Sequence, residues 1–131
     1  MAAAPKILVI DDDKTFTTMA ASLLHAAGYR TVVAFDAMQG FMFAGREAPA
    51  LVLLDLSMPA GGGMQLLDKL RHSSKTQNVP VIIVTATAAR GLEAEVKAKG
   101  AAAVVIKPVD PKALVELVKQ VPEHHADDRQ P

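Results

Sequence analysis

The 131-residue chain contains no cysteine. Disulfides, thiolate metal centres and cysteine nucleophiles are therefore excluded. Tryptophan is absent too, and one tyrosine and four phenylalanines make aromatic rings scarce. The formal net charge is +0, and the lysines and arginines form no stripe. That balance argues against a nucleic-acid partner held through its phosphates. Half of the residues are apolar, yet no run approaches the ~18 residues that a membrane span needs. The opening MAAAPK lacks the charged start, apolar centre and cleavage site of a secretory signal. Together these absences lead us to expect a cytoplasmic protein with no membrane partner. The histidines, His25, His72, His124 and His125, do not have metal-ligand spacing.

What is present is a regular alternation. Nearly continuous Val/Ile/Leu runs predict strands over 6–10, 30–35, 50–55, 79–85 and 103–107, as when both faces of a sheet are covered. Helical spacing lies between them. Phe16, Met19, Ala20, Leu23, Leu24 and Ala27 predict a first helix, with Gly28 as its stop. Asp36 can cap a second helix carrying Met38, Phe41 and Met42, which Gly40 and Gly45 weaken. A third helix is expected over 63–72, and a fourth over 88–99 with Leu92 and Val96 inward. Asp110 and Pro111 open a fifth, which Pro122 ends. The expectation is one α/β domain: a (βα)₅ flavodoxin-like open parallel sheet, order 2-1-3-4-5, with helices on both faces. Residues 122–131 read as a polar, disordered tail.

In such a sheet the strands' carboxyl ends share one rim. Asp11 and Asp12 follow the first strand, Asp55 the third, Thr85 the fourth and Lys107 the fifth. Asp36 follows an edge strand, away from the crevice. Crowded carboxylates resist ionising together, and a hard cation such as Mg²⁺ would relieve them. Aspartate can attack phosphorus, while a lysine and a hydroxyl can hold phosphoryl oxygens. Singly, each residue has a plain structural explanation, and Asp13 fits a helix cap. The ordered set of acids, hydroxyl and lysine is harder to explain that way.

The stretches ILVIDDD, LVLLDLSMP followed by Gly63, PVIIVTA and IKP carry a resemblance. Over residues 5–121 the chain resembles a response-regulator receiver domain of the CheY-like kind. The resemblance implies a two-component phosphorelay protein rather than an enzyme. Asp55 would accept a phosphoryl group from a sensor histidine kinase, a histidine phosphotransfer protein or a small phosphodonor. Asp12, Asp55 and the Ser57 carbonyl would bind Mg²⁺, with Asp11 acting through water. Lys107, before a cis bond to Pro108, would pair with the phosphoryl group, and Thr85 would move to bond it. Output would be contact with a downstream protein target or onward phosphotransfer.

Some positions depart from the family pattern. Val104 stands where an aromatic switch residue is common, three before Lys107. Ala102 and Ala103 replace a frequent acidic pair, which makes the face of the fourth helix and fifth strand small and apolar and a candidate for a homodimer. Gly62 replaces an acidic residue, and we expect the glycines at 61–63 to form a tolerant surface turn. Ser57 and Thr87 occupy positions that tune phosphoryl lifetime. Two rivals exist. Asp11-x-Asp13-x-Thr15 formally fits the nucleophile motif of haloacid-dehalogenase-like phosphatases, but the later acidic pair is missing and Asp55 would have no role. A receiver-like module that binds without phosphorylation is the other, kept open by Val104.

Overall fold

The computed structural model describes residues 4–58, 62–86 and 89–123. Five strands and five helices alternate: β1 Lys6–Ile10, α1 Lys14–Ala26, β2 Arg30–Ala34, α2 Ala37–Glu47, β3 Leu51–Leu54, α3 Gly62–Arg71, β4 Val81–Thr85, α4 Leu92–Ala98, β5 Ala103–Ile106 and α5 Pro111–Gln120. All strand pairings are parallel, and the order is β2-β1-β3-β4-β5. This is the expected (βα)₅ sheet, with the direction change at β1 and β3.

The sheet divides two cores. On one face Leu8, Ile10, Val52, Leu54 and Ile83 pack with Ala44 of α2, Leu66, Leu67 and Leu70 of α3, and Val96 of α4. On the other, Ile7, Val9, Leu53, Ile82 and Val84 pack with Phe16, Ala20 and Leu24 of α1 and Leu114 and Val118 of α5. Neighbouring strand residues thus feed opposite cores, and so every position must be apolar.

Carboxylates set three helix starts. Asp13 Oδ1 accepts from the N–H groups of Thr15 and Phe16 at 2.9 and 3.2 Å. Asp36 caps α2 through Gln39 N–H, and Asp110 caps α5 through Ala113 N–H. Each satisfies a donor that the first turn leaves open.

Three expectations are corrected, and the facing of α2, which the sequence left open, is settled. α4 begins at Leu92, after Gly91 at φ 81°, not at residue 88. Left-handed backbone there breaks the alanine-rich helical run. α2 turns its small residues inward: Gly40 and Ala44 are buried, while Met38 is 83% exposed and Met42 50%. A Cβ on Gly40 would lie 2.8 Å from Ile10 Cδ1 and 3.0 Å from Leu66 Cδ2, so glycine lets the helix sit on the sheet. The glycines at 62–63 are not a tolerant surface turn. Both belong to α3, and a Cβ on Gly63 would meet the Asp55 carbonyl oxygen at 2.5 Å and Leu56 Cα at 2.6 Å. Finally, Ala103 packs into the α1/α5 core, because side chains alternate along β5. The cleft between α4 and β5 is lined instead by Leu92, Glu93, Val104 and Ile106. Thr87, Gly61, His124, His125 and the rest of the proposed tail after Glu123 lie outside the described residues.

Candidate functional site

The sheet delivers the site. Backbone bonds continue one residue past three strands: Asp11 N–H to Ala34 O at 3.0 Å, Asp55 N–H to Ile10 O at 3.0 Å, and Lys107 N–H to Thr85 O at 2.9 Å. The charged residues are therefore fixed by strand register rather than by loops. Carboxylate oxygens of Asp11, Asp12 and Asp55 lie within 4.8 Å of one another. Asp11 is 1% exposed and Asp55 4%, while Asp12 reaches solvent. Asp13 is not in the cluster, because its carboxylate is committed to the α1 cap.

Lys107 enters this cluster from β5. Its Nζ stands 2.6 Å from Asp11 Oδ2 and 3.8 Å from Asp55 Oδ2. The same ammonium lies 4.5 Å from the centre of the Phe16 ring, a cation–π contact. The Lys107–Pro108 peptide is cis. Asp11 Oδ1 also accepts from Asp13 N–H at 2.9 Å. Burial pushes the Asp11 carboxyl above its ordinary range, and the nearby Asp55 charge adds to that. The hydrogen bonds from Lys107 and Asp13 N–H oppose the rise without cancelling it.

The acceptor side carries two hydroxyls. Asp55 Oδ1 accepts from Ser57 N–H at 2.9 Å. Ser57 Oγ and Thr85 Oγ1 are 2.7 Å apart and share a hydrogen bond. Thr85 is buried and Ser57 exposed. Every residue expected at the rim on β1, β3, β4 and β5 is thus brought together, and Asp36 is left out as an α2 cap. Sequence reasoning missed Phe16 as a neighbour of Lys107. Its place in the apolar stripe of α1 marked it only as core.

The rim thus gathers an acid cluster of hard oxygen donors beside a lysine and two hydroxyls. The chain belongs to the response regulator receiver domain family, whose model matches residues 7–119. It is similar to the polar-differentiation response regulator DivK of Brucella anthropi, at 26% identity over 86% of this chain and 92% of the relative. It is similar in structure to a CheY-like receiver domain protein from Methanospirillum hungatei, with TM-score 0.83, 29% identity, and 89% and 92% of the two chains covered. Chemotaxis protein CheY4 of Vibrio cholerae superposes with TM-score 0.85 at 26% identity, covering 91% and 99%. The family places the chain in two-component signalling and overrides the phosphatase reading.

Proposed function

We propose that the chain is a phosphoacceptor, with a receiver unit over residues 5–121 and Asp55 as the acceptor. The supporting observation is the buried Asp55 carboxylate facing the Lys107 ammonium at 3.8 Å at the carboxyl edge of the sheet. An Asp55 oxygen attacks phosphorus, and the donor's P–N bond to histidine, or the P–O bond of an acyl phosphate, breaks. The leaving group keeps the bonding electron pair, and an aspartyl phosphate remains. Lys107 pairs with the phosphoryl oxygens, and Thr85 donates its hydroxyl to one of them. Thr85 and Ser57 share a hydrogen bond in which either hydroxyl can donate, so donation by Thr85 needs Ser57 to supply the proton of that bond or the pair to separate. The turn of the Thr85 hydroxyl toward the phosphoryl oxygen is the local event that added charge drives.

The donor set also fits Mg²⁺: three carboxylates converge and two are buried, and hard oxygens suit this ion. Asp12, Asp55 and the Ser57 carbonyl would hold it, with Asp11 bridged by water. Bound there, it would offset charge on the phosphoryl oxygens. The chain then serves in the cytoplasm as a switch rather than a turnover enzyme. Its donor is a sensor histidine kinase or histidine phosphotransfer protein, and its output is contact with a downstream protein, onward transfer, or a homodimer through the α4/β5 face.

Intact mass after incubation with Mg²⁺ and acetyl phosphate tests this. One added phosphoryl group, absent in Asp55→Asn, is expected. A chain that takes no adduct under conditions that load another receiver domain is a binding module instead.

A further inference from the structure

We infer that the groove between α2 and α3 docks an acidic amphipathic helix of another protein. Among the described residues five large apolar side chains are exposed, and four of them, Phe35, Met38, Phe41 and Met42, lie on α2 or just before it. Such grouping departs from the scattered apolar exposure of an ordinary surface. It follows from the orientation of α2. With Gly40 and Ala44 turned to the sheet, the positions left for solvent include its largest side chains.

The surface is concave rather than a protruding knob. Two cavities, of about 340 and about 180 Å³, adjoin along it and share Phe41 as a lining residue. Met38 lines one and Met42 the other. Gly45 keeps the first open: a Cβ there would touch only Lys75 Cδ, at 3.9 Å. Met38, Phe41, Met42 and Gly45 follow i, i+3, i+4, i+7 spacing, so the apolar stripe runs along the helix. A row of side chains on an incoming helix is the shape that enters such a groove. Methionine side chains adapt to the partner's contour.

Charge selects the occupant. Among the described residues the charged ones lining the two cavities are Arg46, Lys69 and Lys75, and no carboxylate lines either. The nearby Glu47 pairs with Lys6 and Arg46 and Asp68 with Lys99, so Arg46 is offset and Lys69 and Lys75 set the sign of the lining. A second copy presenting the same face through a twofold axis would bring these cations against their own kind. An apolar helix flanked by carboxylates matches both the floor and the rim. This surface is on different elements from the phosphoacceptor edge and from the α4/β5 face, and the inference does not depend on phosphorylation.

The test uses the whole chain with methyl-labelled methionine and a designed amphipathic peptide whose leucine stripe is flanked by glutamate. A sister peptide carries lysine for every glutamate. Saturable binding of the glutamate peptide is expected, with shifts at the Met38 and Met42 methyls and not at Met19 or Met58. Met38→Ser/Met42→Ser should weaken binding about tenfold or more, as should Lys69→Glu/Lys75→Glu, which leaves the groove floor intact. Each variant is first checked for an unchanged far-ultraviolet spectrum and melting transition, and surface changes at other α2 or α3 positions replace any that fails. The inference is overturned by equal binding of the two peptides, by no binding, or by shifts elsewhere. It is also overturned if the patch mutations abolish self-association in sedimentation, or binding to phosphatidylglycerol vesicles, while peptide binding is absent.

Discussion

Replacing Gly63 by alanine should unfold the chain more easily and impair the acceptor, although alanine is the better helix former. In an open helix interior the exchange favours folding by about 1 kcal/mol. Gly63 is not open. The added Cβ would lie 2.5 Å from the Asp55 carbonyl oxygen and 2.6 Å from Leu56 Cα, both backbone atoms. No side-chain rotation relieves the overlap, so α3 or the end of β3 must move. Overpacking costs typically ~1–3 kcal/mol, and unyielding partners put this case near the top. The net effect is a loss of about 2 kcal/mol. Gly45→Ala provides the contrast within the same fold, since its Cβ would find nothing nearer than 3.9 Å. It should gain up to about 1 kcal/mol, leaving a gap of about 3 kcal/mol between two chemically identical substitutions. Urea unfolding followed by circular dichroism measures both. Because the displaced backbone carries Asp55, adduct formation with acetyl phosphate should slow in Gly63→Ala and persist in Gly45→Ala. A Gly63→Ala chain as stable as the parent, or less perturbed than Gly45→Ala, would refute the packing account.

Asp13→Ala should cost about 1 kcal/mol through loss of the α1 cap and leave phosphorylation of Asp55 intact; loss of the adduct in a folded variant would place Asp13 in the chemistry. Asp11→Asn in chelator should be more stable than the parent at neutral pH. Burial raises the folded carboxyl above its unfolded value, so the folded state holds its proton longer. The parent therefore loses stability as pH climbs from the ordinary aspartate value, about 4, through the raised folded value; the variant should lack that decline, and a matching decline in urea titrations would refute the assignment. Saturating Mg²⁺ at about a hundred times its dissociation constant should stabilise the parent by about 2.7 kcal/mol, and Asp12→Asn should remove most of that gain. Equal gains in the thermal unfolding of both chains would dismiss Asp12 as a ligand.

The strands and the rim were legible because a sheet covered on both faces leaves long Val/Ile/Leu runs, and polar residues then stand out where those runs stop. Asp11, Asp55, Thr85 and Lys107 are visible for that reason. The start of α4 was not, because alanine-rich sequence favours helix while the φ of 81° at Gly91 depends on the surrounding fold. Nor was the facing of α2 visible. Periodicity shows that Met38, Phe41 and Met42 share a side, but only packing decides that Gly40 takes the sheet. The contact of Gly63 with the backbone after β3 links α3 to a distant strand, and local sequence carries no sign of it.

The extension of sheet hydrogen bonds to Asp11, Asp55 and Lys107 has a consequence for how this chain can vary over generations. A residue gained or lost inside β1, β3 or β5 would turn the following charged group to the opposite side of the sheet. A residue gained where a helix hands over to the next strand would leave that group where it is. Viable descendants should thus differ in length at the amino-terminal ends of the strands, and hold the count constant from each strand to the acid or lysine that ends it.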